Sequence, residues 1–351
     1  MNDGYETISP KSNKKGMLTY ISVMQIIGAI SVILGHSLNG IQISSDDMLG
    51  KWWVVFSKQW IYIFHMPLFF FISGYLYSYN GGLKNKSYLQ FIKGKFLRLL
   101  VPYLFWNILF IIPKFVFDTY ISDDVALSLD YFLKILITPR QMVLGHTWFL
   151  FALFLTLLIA PFFDYIIKNS KIMQNIFLLV LVVLYLLPIR TEIFALSDLH
   201  KDLLFFYLGL IIGKINIQQL ENALKKNSIL ILGIIFSTIL SVLCIVFEDV
   251  VVIKLVTCCA IVFVVFLISF YIKSESIIKL GKNSFLIYIL HWPAMLAVRI
   301  VFYQILKLDF YLVVLLMIVS GFVVPNIIGV VLRKFKNKKV LKNSLYYVFG
   351  I

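Results

Sequence analysis

Charge is what this chain most lacks. Asp, Glu, Lys and Arg make up 14% of its 351 residues, while 61% are apolar. Soluble domains run near about 25% charged and roughly 45–50% apolar, so no water-facing surface could absorb the excess. The shortage excludes a soluble enzyme and a disordered chain. Acids are the scarcer sign, 17 against 32 Lys and Arg, for a net charge of +15. That surplus sits on too few charges overall for a DNA-binding domain, and no nucleic-acid partner is expected.

Cysteine is equally sparse. Cys244, Cys258 and Cys259 all fall inside apolar runs, which excludes an external disulfide framework and reads as buried, inert thiols. No CxxC or HExxH spacing occurs, so no metal site is expected. No internal repeat is evident, and no segment alternates as a barrel strand would. No cleavage site of small residues follows the first apolar run, which therefore reads as an uncleaved span and not a signal peptide.

What the chain has is long apolar stretches. A spanning helix needs about 20 apolar residues, because the hydrocarbon core is about 30 Å thick. Ten segments qualify: 17–36, 54–79, 97–117, 147–167, 172–189, 201–216, 228–247, 250–272, 284–304 and 310–333. The expected fold is an all-α polytopic membrane bundle of about ten transmembrane helices. Its expected organisation is a cytoplasmic tail over 1–16, a membrane domain over 17–333 and a basic-aromatic tail over 334–351. With the N-terminus inside, the inner segments hold 22 of the 32 Lys and Arg but only five of the 17 acids. Positive loops stay cytoplasmic, so both termini are assigned there. The last stretch, with Lys342, Tyr346, Tyr347 and Phe349, is expected to lie along the inner lipid surface.

Ionisable groups within spans are costly and mark functional candidates. His36 closes the first span. Gln25 lies eleven residues earlier, three turns plus about 20° at 100° per residue, hence on the same face and about 16 Å away. This stripe reads either as a cavity lining or as an interfacial histidine at a helix end. In the second span, His65 precedes Pro67, expected to kink the helix, and Ser73-Gly74 permits close packing. Its histidine lines a cavity or bonds to a neighbouring helix. Lys95 and Arg98, at i and i+3 on the inner boundary, serve as a positive anchor or as a phosphate clamp. His146 and Trp148 open the fourth span at the outer mouth, where an aromatic belt is the alternative. His200 precedes the sixth span. Ser284, Tyr288 and His291 share one face of the ninth, where a core stripe would be apolar, and so favour a lined cavity.

These pieces, in this order, resemble the membrane-bound acyltransferase family three, within it the fucose 4-O-acetylase-like and polysaccharide O-acetyltransferase group. The matching residues are Ile33-Leu34-Gly35-His36-Ser37, the Phe64–Leu76 run around His65, Lys95-x-x-Arg98 with Pro102, Thr147-Trp148-Phe149-Leu150, and Asn283-Ser284 followed by Tyr288 and His291. Together they cover about residues 17–305. The resemblance implies about ten helices and transfer of an acyl group from cytoplasmic acyl-CoA, with acetyl-CoA the leading donor substrate, to a hydroxyl of a surface glycan. It places His36 on the family's presumed catalytic histidine, and Lys95 and Arg98 on its basic-x-x-Arg motif. Gln25 stands where the family usually has Arg or Lys, so it can hydrogen-bond but cannot neutralise a phosphate.

The expectation is therefore a plasma-membrane O-acyltransferase without a bound cofactor, using His36 as general base. Its acceptor is a cell-envelope glycan or lipid-linked sugar. Gln25, Lys95 and Arg98 are assigned to the acyl donor, and His65, Ser73, His146, Trp148, Tyr288 and His291 to the acceptor. The alternatives are a transporter or flippase for a glycan or lipid precursor, which would share the helices and buried polar groups, and a degenerate acyltransferase.

Overall fold

In lipid no water satisfies a backbone amide, so long apolar segments must close their hydrogen bonds internally as helices. The computed structural model of the chain follows this rule. It describes residues 10–38, 48–84, 86–116, 134–247, 249–335 and 347–349, all regular elements of which are helical. In chain order these are α1 (Pro10–Ser37), α2 (Met48–Tyr79), α3 (Tyr88–Lys95), α4 (Val101–Leu109), α5 (Ile111–Val116), α6 (Trp148–Asn169) and α7 (Lys171–Leu186). Then come α8 (Leu196–Ile212), α9 (Ile217–Leu224), α10 (Asn227–Val246), α11 (Val251–Tyr271), α12 (Glu275–Gly281), α13 (Ser284–Val298) and α14 (Phe310–Phe335).

Among the described residues, eight helical segments are long and apolar enough to cross a membrane. A ninth results if α8 and α9, which meet at a 98° bend, are taken as one span. The two departures from the ten segments read from the sequence are both local. The segment at 201–216 falls in α8 and the turn after it, the first half of this bent pair, and the segment at 172–189 is a 16-residue helix, shorter than the other spans. Residues 10–16, expected in the polar tail, already belong to α1. Of the remaining tail positions, 1–9, 336–346 and 350–351 lie outside the described residues. Residues 347–349 are described, and Trp106 Nε1 of α4 donates to the Val348 carbonyl at 3.0 Å.

Pro67 does not divide the second span: α2 is one helix of 32 residues. Pro102 has the larger effect. Lacking an N–H, it cannot close an α turn onto the carbonyl of Arg98, and a π turn occupies Phe96–Leu100, with the Val101 N–H donating to the Phe96 carbonyl. Arg98 thus lies within this turn and does not share an uninterrupted α-helical face with Lys95. Arg98 is exposed, whereas Lys95 is half-buried with its ammonium 5.2 Å over the Phe91 ring.

The first span lies at the centre of the bundle. It is 72% buried, against 17% for α10, and packs on α2, α11, α12, α13 and α14. The most extensive helix pair is α2 with α8, where Gly74 and Gly209 let the two backbones meet. Large side chains such as Leu179, Leu232 and Phe236 remain exposed on the periphery, as lipid contact requires. At one end of the bundle Asp164 binds Lys168 at 2.7 Å and Lys214 at 2.9 Å. Glu221 receives Tyr20 Oη at 2.5 Å, Lys225 at 3.0 Å and Lys273 at 3.2 Å. All seven residues belong to segments that the charge asymmetry assigns to one side.

Candidate active site

The opposite end of α1 carries His36. Gly35 seats this turn against α2, since a Cβ there would lie 3.1 Å from Ile61 Cγ2 and 3.2 Å from Tyr62 Cε2. The His36 imidazole therefore meets Tyr62 of α2 at 6.2 Å between ring centroids. From α13 come His291 at 5.3 Å and Trp292 at 5.4 Å. His146 lies 6.1 Å from His36 and 4.9 Å from His291, so three imidazoles from three distant segments form one cluster.

His146 stands in a short 3-10 turn, Gly145–Thr147, ahead of α6. Gly145 is required there, because a Cβ would sit 2.7 Å from the Arg140 carbonyl oxygen. The turn is tied down by Asn107, which is fully buried on α4. Its amide donates to Thr147 Oγ1 and to the Tyr103 carbonyl, each at 2.8 Å, and its carbonyl accepts from the Leu144 N–H at 3.3 Å. On the other side Tyr288 Oη donates to the His146 carbonyl. The Ser284–Tyr288–His291 face thus does reach a polar site, with Tyr288 and His291 in it.

His65 and His291 each place Nδ1 at 2.9 Å from the carbonyl four residues back, of Ile61 and Ile287 respectively. A carbonyl can only accept, so Nδ1 carries the proton in both rings and Nε2 presents a lone pair. Among the described residues, Nε2 of His291 and of His146 is buried with no hydrogen-bond partner. Buried polar atoms are normally satisfied, and exceptions call for an explanation. The cluster therefore holds proton-accepting capacity that the fold itself does not use.

Beside it opens a cavity of about 600 Å³, lined by His36, His65, His146, Trp148 and Tyr288. Its mouth is bridged by Arg140, which donates two hydrogen bonds to Asp198 at 2.5 and 2.6 Å and lies 4.4 Å over the Trp148 ring. Among the described residues no three His, Cys, Asp or Glu side chains are arranged to hold a metal ion.

The other sequence-selected residues lie elsewhere. Ser73 bonds to the Phe69 carbonyl of its own helix at 2.8 Å, and His200 to the Leu196 carbonyl at 2.7 Å. Gln25, partly buried midway along α1, does not line the cavity, and neither do Lys95 and Arg98. Sequence reasoning missed Asn107, Arg140, Asp198 and Asp202. Asn107 and Asp202 left a readable signal, a polar group inside an apolar run. Arg140 and Asp198 lie 58 residues apart and left none.

A family model described as an acyltransferase domain, that of acyltransferase family 3, matches residues 18–348. Nodulation protein NolL of Sinorhizobium fredii is 31% identical over 201 residues, covering 57% of this chain and 50% of that protein. Nodulation protein NolL of Mesorhizobium japonicum is 34% identical over 128 residues, covering 36% and 31%. The matched part thus spans half or less of the length of these curated relatives. No solved structure matches the chain. With nearly its whole length inside the family model, and with His36, His65 and His146 lining one cavity in a helical membrane bundle, the chain belongs to acyltransferase family 3.

Proposed function

We propose that the protein is an integral membrane O-acyltransferase of the plasma membrane that transfers an acyl group, acetyl foremost, from acyl-CoA to a hydroxyl of a cell-envelope glycan or lipid-linked sugar. The observation that carries this reading is the meeting of His36, His146 and His291 beside a cavity, in a chain of this family. His36 accepts the proton of the acceptor hydroxyl as its oxygen attacks the thioester carbonyl. Collapse of the tetrahedral intermediate breaks the C–S bond, and the leaving thiolate takes the proton back from the imidazolium. General base catalysis of this kind is worth about 10²–10⁴-fold. The Nε2 lone pair of His291 supplies an acceptor near the reacting proton, and Tyr288 fixes the His146 turn.

The donor approaches from the end that holds the Asp164 and Glu221 clusters, with Lys95 and Arg98 meeting its phosphates and Gln25 lying on the way to His36. No bound cofactor is required.

The test is acyl transfer from radiolabelled acetyl-CoA by purified protein, with envelope glycan as acceptor. CoA release that depends on acceptor and falls in His36→Ala supports the reading. Unchanged release in that variant, or glycan transport with no thioester cleavage, refutes it.

A further inference from the structure

The cavity extends beyond the histidines. Its lining also includes Tyr185 of α7, Lys201 and Asp202 of α8 and Lys254 of α11, a group termed the second arm. Asp198, Lys201 and Asp202 fall at spacings of three and four, so they share one face of α8. Asp198 is taken by Arg140. Asp202, one turn further along, is 4% exposed, yet among the described residues neither it nor Lys201 nor Lys254 forms an ion pair or a side-chain hydrogen bond. A buried carboxyl without a partner is expensive, and such groups concentrate at functional sites. The turn that presents this face is itself strained: Phe194 and Ala195 take φ values of 52° and 55°, a left-handed conformation unfavourable for residues with a Cβ.

We propose that this arm is a subsite for a neutral, hydroxyl-rich sugar ring of the acceptor. Asp202 accepts hydrogen bonds from its hydroxyls, while Lys201 and Lys254 donate to its oxygens. The Asp202 carboxyl disfavours an anionic ligand. Arg140 is already neutralised by Asp198, and an anionic group drawn to the two lysines would also face the carboxyl of Asp202. A cavity of about 600 Å³ lies within the roughly 300–1,000 Å³ range that encloses a drug-sized molecule, so there is room for a unit beside the one being acylated. The inference rests on the acyltransferase reading, since it takes the occupant to be the acceptor.

The test separates the two. Saturation-transfer NMR on the purified full chain in detergent micelles would use neutral methyl hexopyranosides as probes, with methyl glucuronide as the anionic counterpart. Neutral glycosides should bind the wild type and His36→Ala alike, and at least tenfold more weakly to Asp202→Leu. The glucuronide should bind at least tenfold more weakly than the neutral probes. Asp202→Asn should melt no lower than the wild type, because its carboxyl holds nothing in the fold, and should still bind glycosides more weakly. Neutral binding untouched in Asp202→Leu, a preference for the glucuronide, or no saturable neutral binding to the wild type overturns the subsite. Asp202-dependent binding without any thioester cleavage leaves the subsite standing and removes the acyl-transfer reading instead.

Discussion

Gly74 and Gly209 hold α2 and α8 at backbone contact: a methyl on Gly74 would lie 1.9 Å from the Phe206 carbonyl oxygen, and one on Gly209 would lie 2.0 Å from that of Phe71. Backbone cannot swing aside as a side chain can. Gly74→Ala and Gly209→Ala should therefore each destabilise the bundle by at least about 1–3 kcal/mol. Thermal melting in detergent would show this as a lowered midpoint. Gly94, with nothing within 4 Å of a built Cβ, is the control and should tolerate Ala without loss.

His36→Ala should lower acyl transfer by about 10²–10⁴-fold, the range of general base catalysis, without lowering the melting temperature. Its side chain forms no hydrogen bond among the described residues that the fold would miss. Rates with labelled acetyl-CoA, measured beside a melt of the same preparation, separate the two effects.

Asn107 should behave in the opposite way. Replacing it by Leu removes two hydrogen bonds to the 144–147 turn and one to the Tyr103 carbonyl, and leaves Thr147 and the Leu144 N–H without those partners. A loss of about 1–3 kcal/mol in stability is expected, together with slower transfer as His146 loosens. Asn107→Asp keeps the acceptor to the Leu144 N–H but loses both donors, and should recover only part of the stability.

The Arg140–Asp198 pair is accessible, at 41% and 25% side-chain exposure, so its contribution to stability should stay near about 0.2–1 kcal/mol. Its effect should appear at the cavity mouth. Arg140→Lys cannot reproduce the bidentate contact or the stacking on Trp148 and should raise the acceptor KM more than it lowers kcat. A double-mutant cycle with Asp198→Ala should be non-additive in KM. Equal, additive losses in kcat would refute a role at the mouth.

The bundle was legible in the sequence because hydrocarbon enforces a length on each apolar run. The exceptions at 172–189 and 201–216 fall where that rule is weakest, since a run near the minimum length is also long enough for a short or sharply bent helix. Of the two prolines, Pro67 lies inside one continuous helix, whereas Pro102 follows a segment that relaxes into a π turn. In the site, His36, His65, His146, Trp148, Tyr288 and His291 could be selected because polar groups in apolar runs are conspicuous. Arg140 and Asp198 could not. Arg140 sits in a connecting turn and Asp198 in the first turn of α8 beside other charged residues, where charge is not conspicuous, and only the folded chain brings them onto one cavity.

The bond between Tyr20 and Glu221 has a consequence for how the protein is made. The partners are 201 residues apart, so at about 5–20 residues per second Tyr20 is synthesised roughly 10–40 s before the ribosome has produced Glu221. The most buried helix of the bundle is also the earliest described one, and it carries Ser22, Gln25 and His36 throughout that interval. Its polar stripe needs a temporary neighbour in the insertion machinery until the later helices arrive. Chains truncated before residue 221 should therefore remain bound to that machinery and be exposed to degradation.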